Sequence, residues 1–221
     1  MSARENILNR LRQAEKSAQE STLPHVHDQE LYRDFPEESP EVMLDLFARR
    51  LVALQGEFYA AASELEAAEK LLHILSSAGD GPIAVQEHTL LHAVLEHNTG
   101  LRSRLVFEQN FPEDAREFAA FEAGITTADW LIARSGSILL RTNRAGGRRL
   151  SVLPPLHVVI ATTGQLVPSL EQGLERVREQ EADWSYMTLI TGPSRTADIE
   201  KILVLGAHGP KRLAVIVIEQ N

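Results

Sequence analysis

Residues 213–218 read Leu-Ala-Val-Ile-Val-Ile. Such a run lacks the polar alternation of a strand with one wet face, and its four β-branched residues favour an extended chain. A strand of this kind is buried on both sides, as in a sheet with layers packed above and below it. Working outward, shorter apolar runs at 187–190, 157–161, 137–141, 130–133, 105–107, 82–85 and 57–62 predict further strands. Helix-length segments at 40–54, 63–76, 89–96 and 168–180 fall between them. Strands alternating with helices predict an α/β fold with a mostly parallel sheet. One antiparallel excursion is expected at residues 142–149, Thr-Asn-Arg-Ala-Gly-Gly-Arg-Arg, which read as a hairpin turn.

Ahead of this pattern, Ile7, Leu8, Leu11 and Ala14 recur at helical spacing. Residues 21–40 then bring three prolines, two histidines and several acids without a period. The chain therefore divides into an N-terminal helix and acidic linker, residues 1–39, and an α/β domain, residues 40–221. A length of 221 residues suits one domain with such an appendage.

Composition excludes several functions. There is no cysteine, hence no disulfide, no thiol nucleophile and no cysteine-held iron–sulfur cluster. No window approaches 18 uncharged apolar residues, so no membrane span is expected. The N-terminus lacks the apolar stretch of a secretory signal, and the expected location is cytoplasmic. Residues 1–130 carry 11 Lys and Arg against 23 Asp and Glu, a charge of −12; residues 131–221 carry 11 against 8, or +3. The acidic front half speaks against nucleic acid, which needs a continuous basic face. The back half is the better place for a small anion.

In open α/β sheets ligands sit beyond the carboxyl ends of the strands. Three turns are candidates: Ala133–Ser137 (Ala-Arg-Ser-Gly-Ser), Ala161–Gln165 (Ala-Thr-Thr-Gly-Gln) and Thr191–Arg195 (Thr-Gly-Pro-Ser-Arg). After the third, Thr196 reads as the N-cap of a helix with Asp198 and Glu200 in its first turn. Arg195 offers a bidentate clamp for a carboxylate or phosphate. His208, in Gly-Ala-His-Gly-Pro, is either an acid, base or donor, or a turn residue bonded to backbone. Arg141, Arg144, Arg148 and Arg149 surround Gly146-Gly147 and read as a basic flap or a solvated turn. No metal site is expected: His25 and His27 lack a third ligand, and His88 and His92 lack an HExxH frame. Neither a Walker A loop nor GxGxxG occurs.

Taken in order, Gly-Ile-Thr-Thr-Ala-Asp-Trp-Leu-Ile-Ala-Arg-Ser-Gly-Ser from Gly124, Arg-Leu-Ser-Val-Leu-Pro-Pro-Leu-His-Val-Val from Arg149, Thr-Gly-Pro-Ser-Arg-Thr-Ala-Asp-Ile-Glu from Thr191 and Gly-Ala-His-Gly-Pro-Lys from Gly206 resemble the LUD-domain family, in its lactate utilization protein C branch. The resemblance implies a three-layer α/β fold similar to the sugar-isomerase and coenzyme A transferase superfamily. It implies a part in a multi-protein system that oxidises L-lactate to pyruvate, alongside two cysteine-rich companions, at least one of which carries iron–sulfur clusters. No cofactor is then expected on this cysteine-free chain. Carried over by position, the implied site is Ser135, Gly136 and Ser137 with Gly192, Ser194, Arg195, Thr196 and Gly209 binding a small carboxylate, and Asp198 and His208 as catalytic candidates. One departure is Arg134, where relatives have an acidic residue before the turn. The glutamate nucleophile of the coenzyme A transferases is not supplied there. Two other readings remain: a stand-alone enzyme on small phosphorylated or thioester substrates, and a non-catalytic assembly or regulatory subunit.

Overall fold

A computed structural model of the chain describes residues 4–5, 9–10, 39–142, 147–180, 184–197, 203–205 and 209–220, with the backbone alone at 147, 195–197 and 203–205. Met1–Phe35 and Pro36–Asn221 form separate compact units. In the first, residues 4–5 and 9–10 are helical; the rest of the expected N-terminal helix, and the linker as far as residue 38, lie outside the described residues.

In the second unit the elements run α1 (Pro40–Ala53), β1 (Glu57–Ala61), α2 (Glu64–Leu75), β2 (Ile83–Val85), α3 (Thr89–Glu96), β3 (Leu105–Phe107), α4 (Ala115–Phe118), β4 (Ala123–Thr126), β5 (Trp130–Ile132) and β6 (Ser137–Thr142). They continue as α5 (Gly147–Val152), β7 (Leu156–Thr162), β8 (Leu166–Val167), α6 (Leu170–Glu179), β9 (Tyr186–Ile190), β10 (Arg195–Ala197), β11 (Leu203–Leu205) and β12 (Arg212–Ile218). Six strands form one sheet in the order β1-β12-β7-β4-β2-β3, with every neighbouring pair parallel. A smaller mixed sheet has the order β8-β5-β6-β9.

The Leu-Ala-Val-Ile-Val-Ile run is the body of β12, between β1 and β7, and all six residues are buried. Alternation sorts its side chains onto two cores. Ala214, Ile216 and Ile218 meet Leu71, Ile74 and Leu75 of α2 and Leu91 and Val94 of α3. Leu213, Val215 and Val217 meet Phe47 and Leu51 of α1 and Leu131 and Ile138 of the small sheet. Each of the run's Leu, Val and Ile side chains contributes about 1.5–3 kcal/mol on burial, which is why it admits no polar residue. The helices start where local chemistry directs: Pro40 opens α1, and the Ser63 hydroxyl accepts from the Glu66 N–H at the head of α2.

Two expectations are corrected. Residues 195–197 form a strand, not the start of a helix, and pair antiparallel with Leu203–Leu205. Thr196 is thus no N-cap; β-branched Thr196 and Val204 stand opposite one another and favour the ladder over a short helix. Residues 142–149 do not join two strands: β6 ends at Thr142 and a helix, α5, begins at Gly147. The antiparallel pairing sits instead in β5–β6, β6–β9 and β10–β11. Of the supposed flap, Arg141, Arg148 and Arg149 are held. Arg148 donates to the Tyr186 hydroxyl (3.2 Å), and Arg149 to the Pro112 and Glu113 carbonyls (3.2 and 2.7 Å). Arg144 lies outside the described residues.

Candidate functional site

Several of the expected site residues come together, at the amino end of the parallel strands. Gly136 turns the chain between β5 and β6 at φ +66°, and a Cβ there would lie 2.5 Å from the Leu51 nitrogen of α1. Only glycine combines that dihedral with that approach. Ser135 beside it is exposed. Ser137 is buried, and its hydroxyl meets that of Thr191 at 2.9 Å. The chain continues through Gly192 (φ +92°) to Ser194, whose N–H donates to the Pro210 carbonyl at 2.9 Å. A Cβ on Gly209 would stand 3.1 Å from the Ser194 Cβ. Lys211 then donates to the Pro155 carbonyl (2.8 Å), immediately ahead of β12 and β7. Arg195 and Thr196 follow in β10; Asp198 and His208 lie outside the described residues. Of the three candidate turns, the one at 161–165 stands at the carboxyl end, after β7.

The carboxyl end is built differently. β2 and β4 are parallel neighbours. The chain leaving β2 forms α3 on one face of the sheet, and the chain leaving β4 forms β5 on the other. Where chains diverge in this way is where open α/β sheets commonly bind ligands. Between the two chains the Gln86 carboxamide oxygen accepts from the Thr127 N–H at 2.8 Å. Gln165 accepts from the Thr162 N–H at 2.7 Å, and its amide group donates to the Ala128 carbonyl. His88 caps α3, its Nδ1 accepting from the Leu90 N–H at 3.2 Å, which leaves the proton of the neutral ring on Nε2. Burial holds His88 below its ordinary pKa, and the Asp129 carboxylate pulls the other way.

Asp129 is the hub of the charged part. Its Oδ2 accepts from the Arg141 backbone N–H (2.5 Å), and its Oδ1 from Nε (2.9 Å) and Nη2 (2.7 Å) of the same arginine. Their side chains are only 20% and 11% exposed. Arg141 Nη2 also donates to the Gln180 carboxamide. Deeper, His157 Nε2 and the Thr126 hydroxyl lie 2.9 Å apart. Complete burial lowers the His157 pKa to about 3, so the ring is neutral. Next to this end, a cavity of about 360 Å³ is lined by Glu41, Leu44, Asp45, Phe58, Thr163 and Gln220; its carboxylates disfavour an anion.

Of Gln86, Thr126, Asp129 and Gln165, sequence reading reached Gln165, at the end of the candidate turn 161–165, and gave no role to the other three. The available signal was the doubled threonine that ends two strands, Thr126-Thr127 and Thr162-Thr163. His92 pairs with Glu87 at 2.6 Å and stacks on Phe107 at 4.7 Å. Among the described residues no group of three or more His, Asp or Glu is placed to hold a metal, and no helix is long and apolar enough to cross a membrane. Chemically, the described side chains of the amino-end turns offer hydroxyls. The carboxyl end offers carboxamides, a neutral imidazole and the Asp129–Arg141 pair.

Residues 44–218 match the LUD domain family. The chain is 31% identical to a lactate utilization protein C of Anoxybacillus flavithermus, over 97% of this chain and 96% of that protein. It is 29% identical to the Escherichia coli protein YkgG over 71% of each. A crystal structure of a DUF162 family protein from Deinococcus radiodurans shares the fold, with a TM-score of 0.59 at 23% identity over 82% of this chain and 99% of that one. With the family match covering most of both sheets, the chain belongs to the LUD domain family.

Proposed function

We propose that this chain is a cytoplasmic component of a multi-protein system that oxidises L-lactate to pyruvate. The observation that carries the reading is the likeness to a lactate utilization protein C along almost the full length of both chains. Electrons then travel through cysteine-rich, iron–sulfur partners, and this chain, with no cysteine, binds no cofactor of its own. In this reading the fold is that of the sugar-isomerase and coenzyme A transferase superfamily. The turns at Ser135, Gly136, Ser137, Gly192, Ser194 and Gly209 face a small carboxylate or a partner. Arg195 and Thr196 bind the carboxylate, His208 exchanges a proton with the 2-hydroxyl, and Asp198 assists it. The divergence of the chains leaving β2 and β4 favours a second reading, a stand-alone enzyme on small phosphorylated or thioester substrates, because ligands bind at such places in open sheets.

The test is isolation of the tagged protein from lactate-grown cells under mild anaerobic conditions. The eluate should contain iron and reduce a dye when L-lactate is added. A clean single protein that turns over phosphorylated or thioester substrates would replace the first reading with the second. Within the leading reading, His208→Ala should impair growth on lactate and leave the fold intact.

A further inference from the structure

Among the described residues three buried side-chain atoms have no hydrogen-bond partner: Trp130 Nε1, Arg141 Nη1 and His157 Nδ1. Two of these belong together. Trp130 stands opposite Leu139 across β5–β6, and Arg141 is two residues further along β6. They therefore share one face of the small sheet on a diagonal of about 7 Å, within reach of long side chains. α6 covers that face: the Arg176 guanidinium lies 5.0 Å from the centre of the Trp130 ring, and Gln180 accepts from Arg141 Nη2. Indole and guanidinium nitrogens only donate, and no acceptor among the described residues reaches either atom. Buried donors are paired in nearly all folded proteins, so two adjacent orphans point to an acceptor that is not part of this chain.

We infer that Arg141 and Trp130 form a binding site for a small monovalent carboxylate, a 2-hydroxy or 2-oxo acid, distinct from the turns at the amino end of the sheet. The choice of acid rests on the lactate reading above; the geometry does not. One oxygen of a planar carboxylate meets Trp130 Nε1, and the other bridges Arg141 Nη1 and the Nη2 hydrogen that Gln180 now holds. Charge selects the same class. Asp129 already neutralises Arg141, and Arg176 over the indole adds one positive charge. A doubly charged phosphate would press its second charge against Asp129. Gln180 shows how the acid enters. It is exposed at the end of α6, and its amide oxygen occupies part of the guanidinium as a ligand oxygen would. Arriving acid displaces it.

The chain has two tryptophans, so the ¹⁵N-labelled full-length protein gives two indole N–H resonances, assigned with Trp130→Phe. The protein is titrated at constant ionic strength with L-lactate, pyruvate, acetate, phosphate and chloride. The Trp130 resonance should shift saturably with L-lactate or pyruvate while that of Trp184 stays. Arg141→Gln should weaken the apparent affinity roughly 10–100-fold, the loss of a hydrogen bond to a charged group. Gln180→Ala, which removes only the internal competitor, should tighten binding several-fold and covers the case in which Arg141→Gln does not fold. Acetate acting as well as L-lactate upholds the site and removes only its link to the lactate reading. A response to phosphate alone overturns the carboxylate class. No response to any anion overturns the site and assigns both donors to buried water. Unchanged or weaker binding by Gln180→Ala overturns the displacement of Gln180.

Discussion

The two ends of the six-stranded sheet solve different problems with different residues. At the amino end the turns of the expected site are shaped by close backbone approaches: Gly136 pressed on α1, Gly209 against Ser194, and the Ser194 N–H on the Pro210 carbonyl. The Arg212–Glu57 ion pair joins β12 to β1 beside them. At the carboxyl end the chain is shaped by side chains that bridge strands: Gln86 to Thr127, Gln165 to Thr162 and Ala128, Asp129 to Arg141. The amino-end turns therefore fail when volume is added, and the carboxyl-end network when a charge or hydrogen-bond partner is removed. That asymmetry bears on function, because a ligand can compete for side-chain hydrogen bonds far more readily than for packed backbone.

The largest break is expected at the amino end. Gly136→Ala places a methyl group against the backbone of α1 and forces an L-residue to φ +66°. The left-handed conformation and the overpacking together should cost about 3–4 kcal/mol. Urea denaturation reads the cost directly, and a loss under 1 kcal/mol would mean that α1 yields easily. The matching break at the carboxyl end is Asp129→Ala, which leaves the mostly buried Arg141 guanidinium without its counter-charge. A loss of about 3 kcal/mol is expected, the lower part of the range for broken buried pairs because both side chains keep some exposure. Restoration of stability by the double variant Asp129→Ala, Arg141→Met, which removes both charges, would confirm the cause.

How much of this could be read from the sequence follows from the same contrast. Uniformly apolar runs such as residues 213–218 were legible because burial on both faces leaves one pattern, and the strand bounds at 105–107 and helix bounds at 89–96 agree to the residue. Residues 195–205 were not. A three-residue strand such as 203–205 carries no period of its own, and capping residues next to an acidic turn imitate a helix start. Family resemblance named the turns and so reached the amino end. Of the carboxyl-end network only the turn at 161–165 was reached; the rest was silent because a lone glutamine or threonine has no distinctive spacing, and Asp129 acquires its role only when β6 returns beside β5. The orphan donors of Trp130 and Arg141 were silent for the same reason: an unpaired atom is a property of packing.

Intermediate effects come from the buried histidine. With its folded pKa near 3 and an ordinary value near 6.5, His157 takes up a proton in the unfolded chain well before it does so in the folded one. Stability is therefore complete above about pH 6.5 and falls as pH drops through that window, by about 1.4 kcal/mol for each unit contributed by this group. His157→Asn should flatten the dependence between pH 6.5 and 4.5, and an unchanged slope would assign it to other groups. Thr126→Val leaves Nε2 as unpartnered as Nδ1 and should cost about 1–3 kcal/mol at neutral pH.

The smallest effect is the most informative about the amino end. The Ser137 and Thr191 hydroxyls satisfy one another at 2.9 Å, so removing either should cost about 0.5–1.5 kcal/mol. If that bond is all they do, Ser137→Ala and Thr191→Val together should cost less than the sum of the two singles, because the second change removes a group already left unpaired. Growth on lactate should then follow stability in all three variants. If the turn receives a ligand through Ser137, growth should fall in Ser137→Ala beyond what Thr191→Val produces at equal stability. A coupled pair with matched growth would leave the amino end as scaffold and move the search for the ligand to the other end of the sheet.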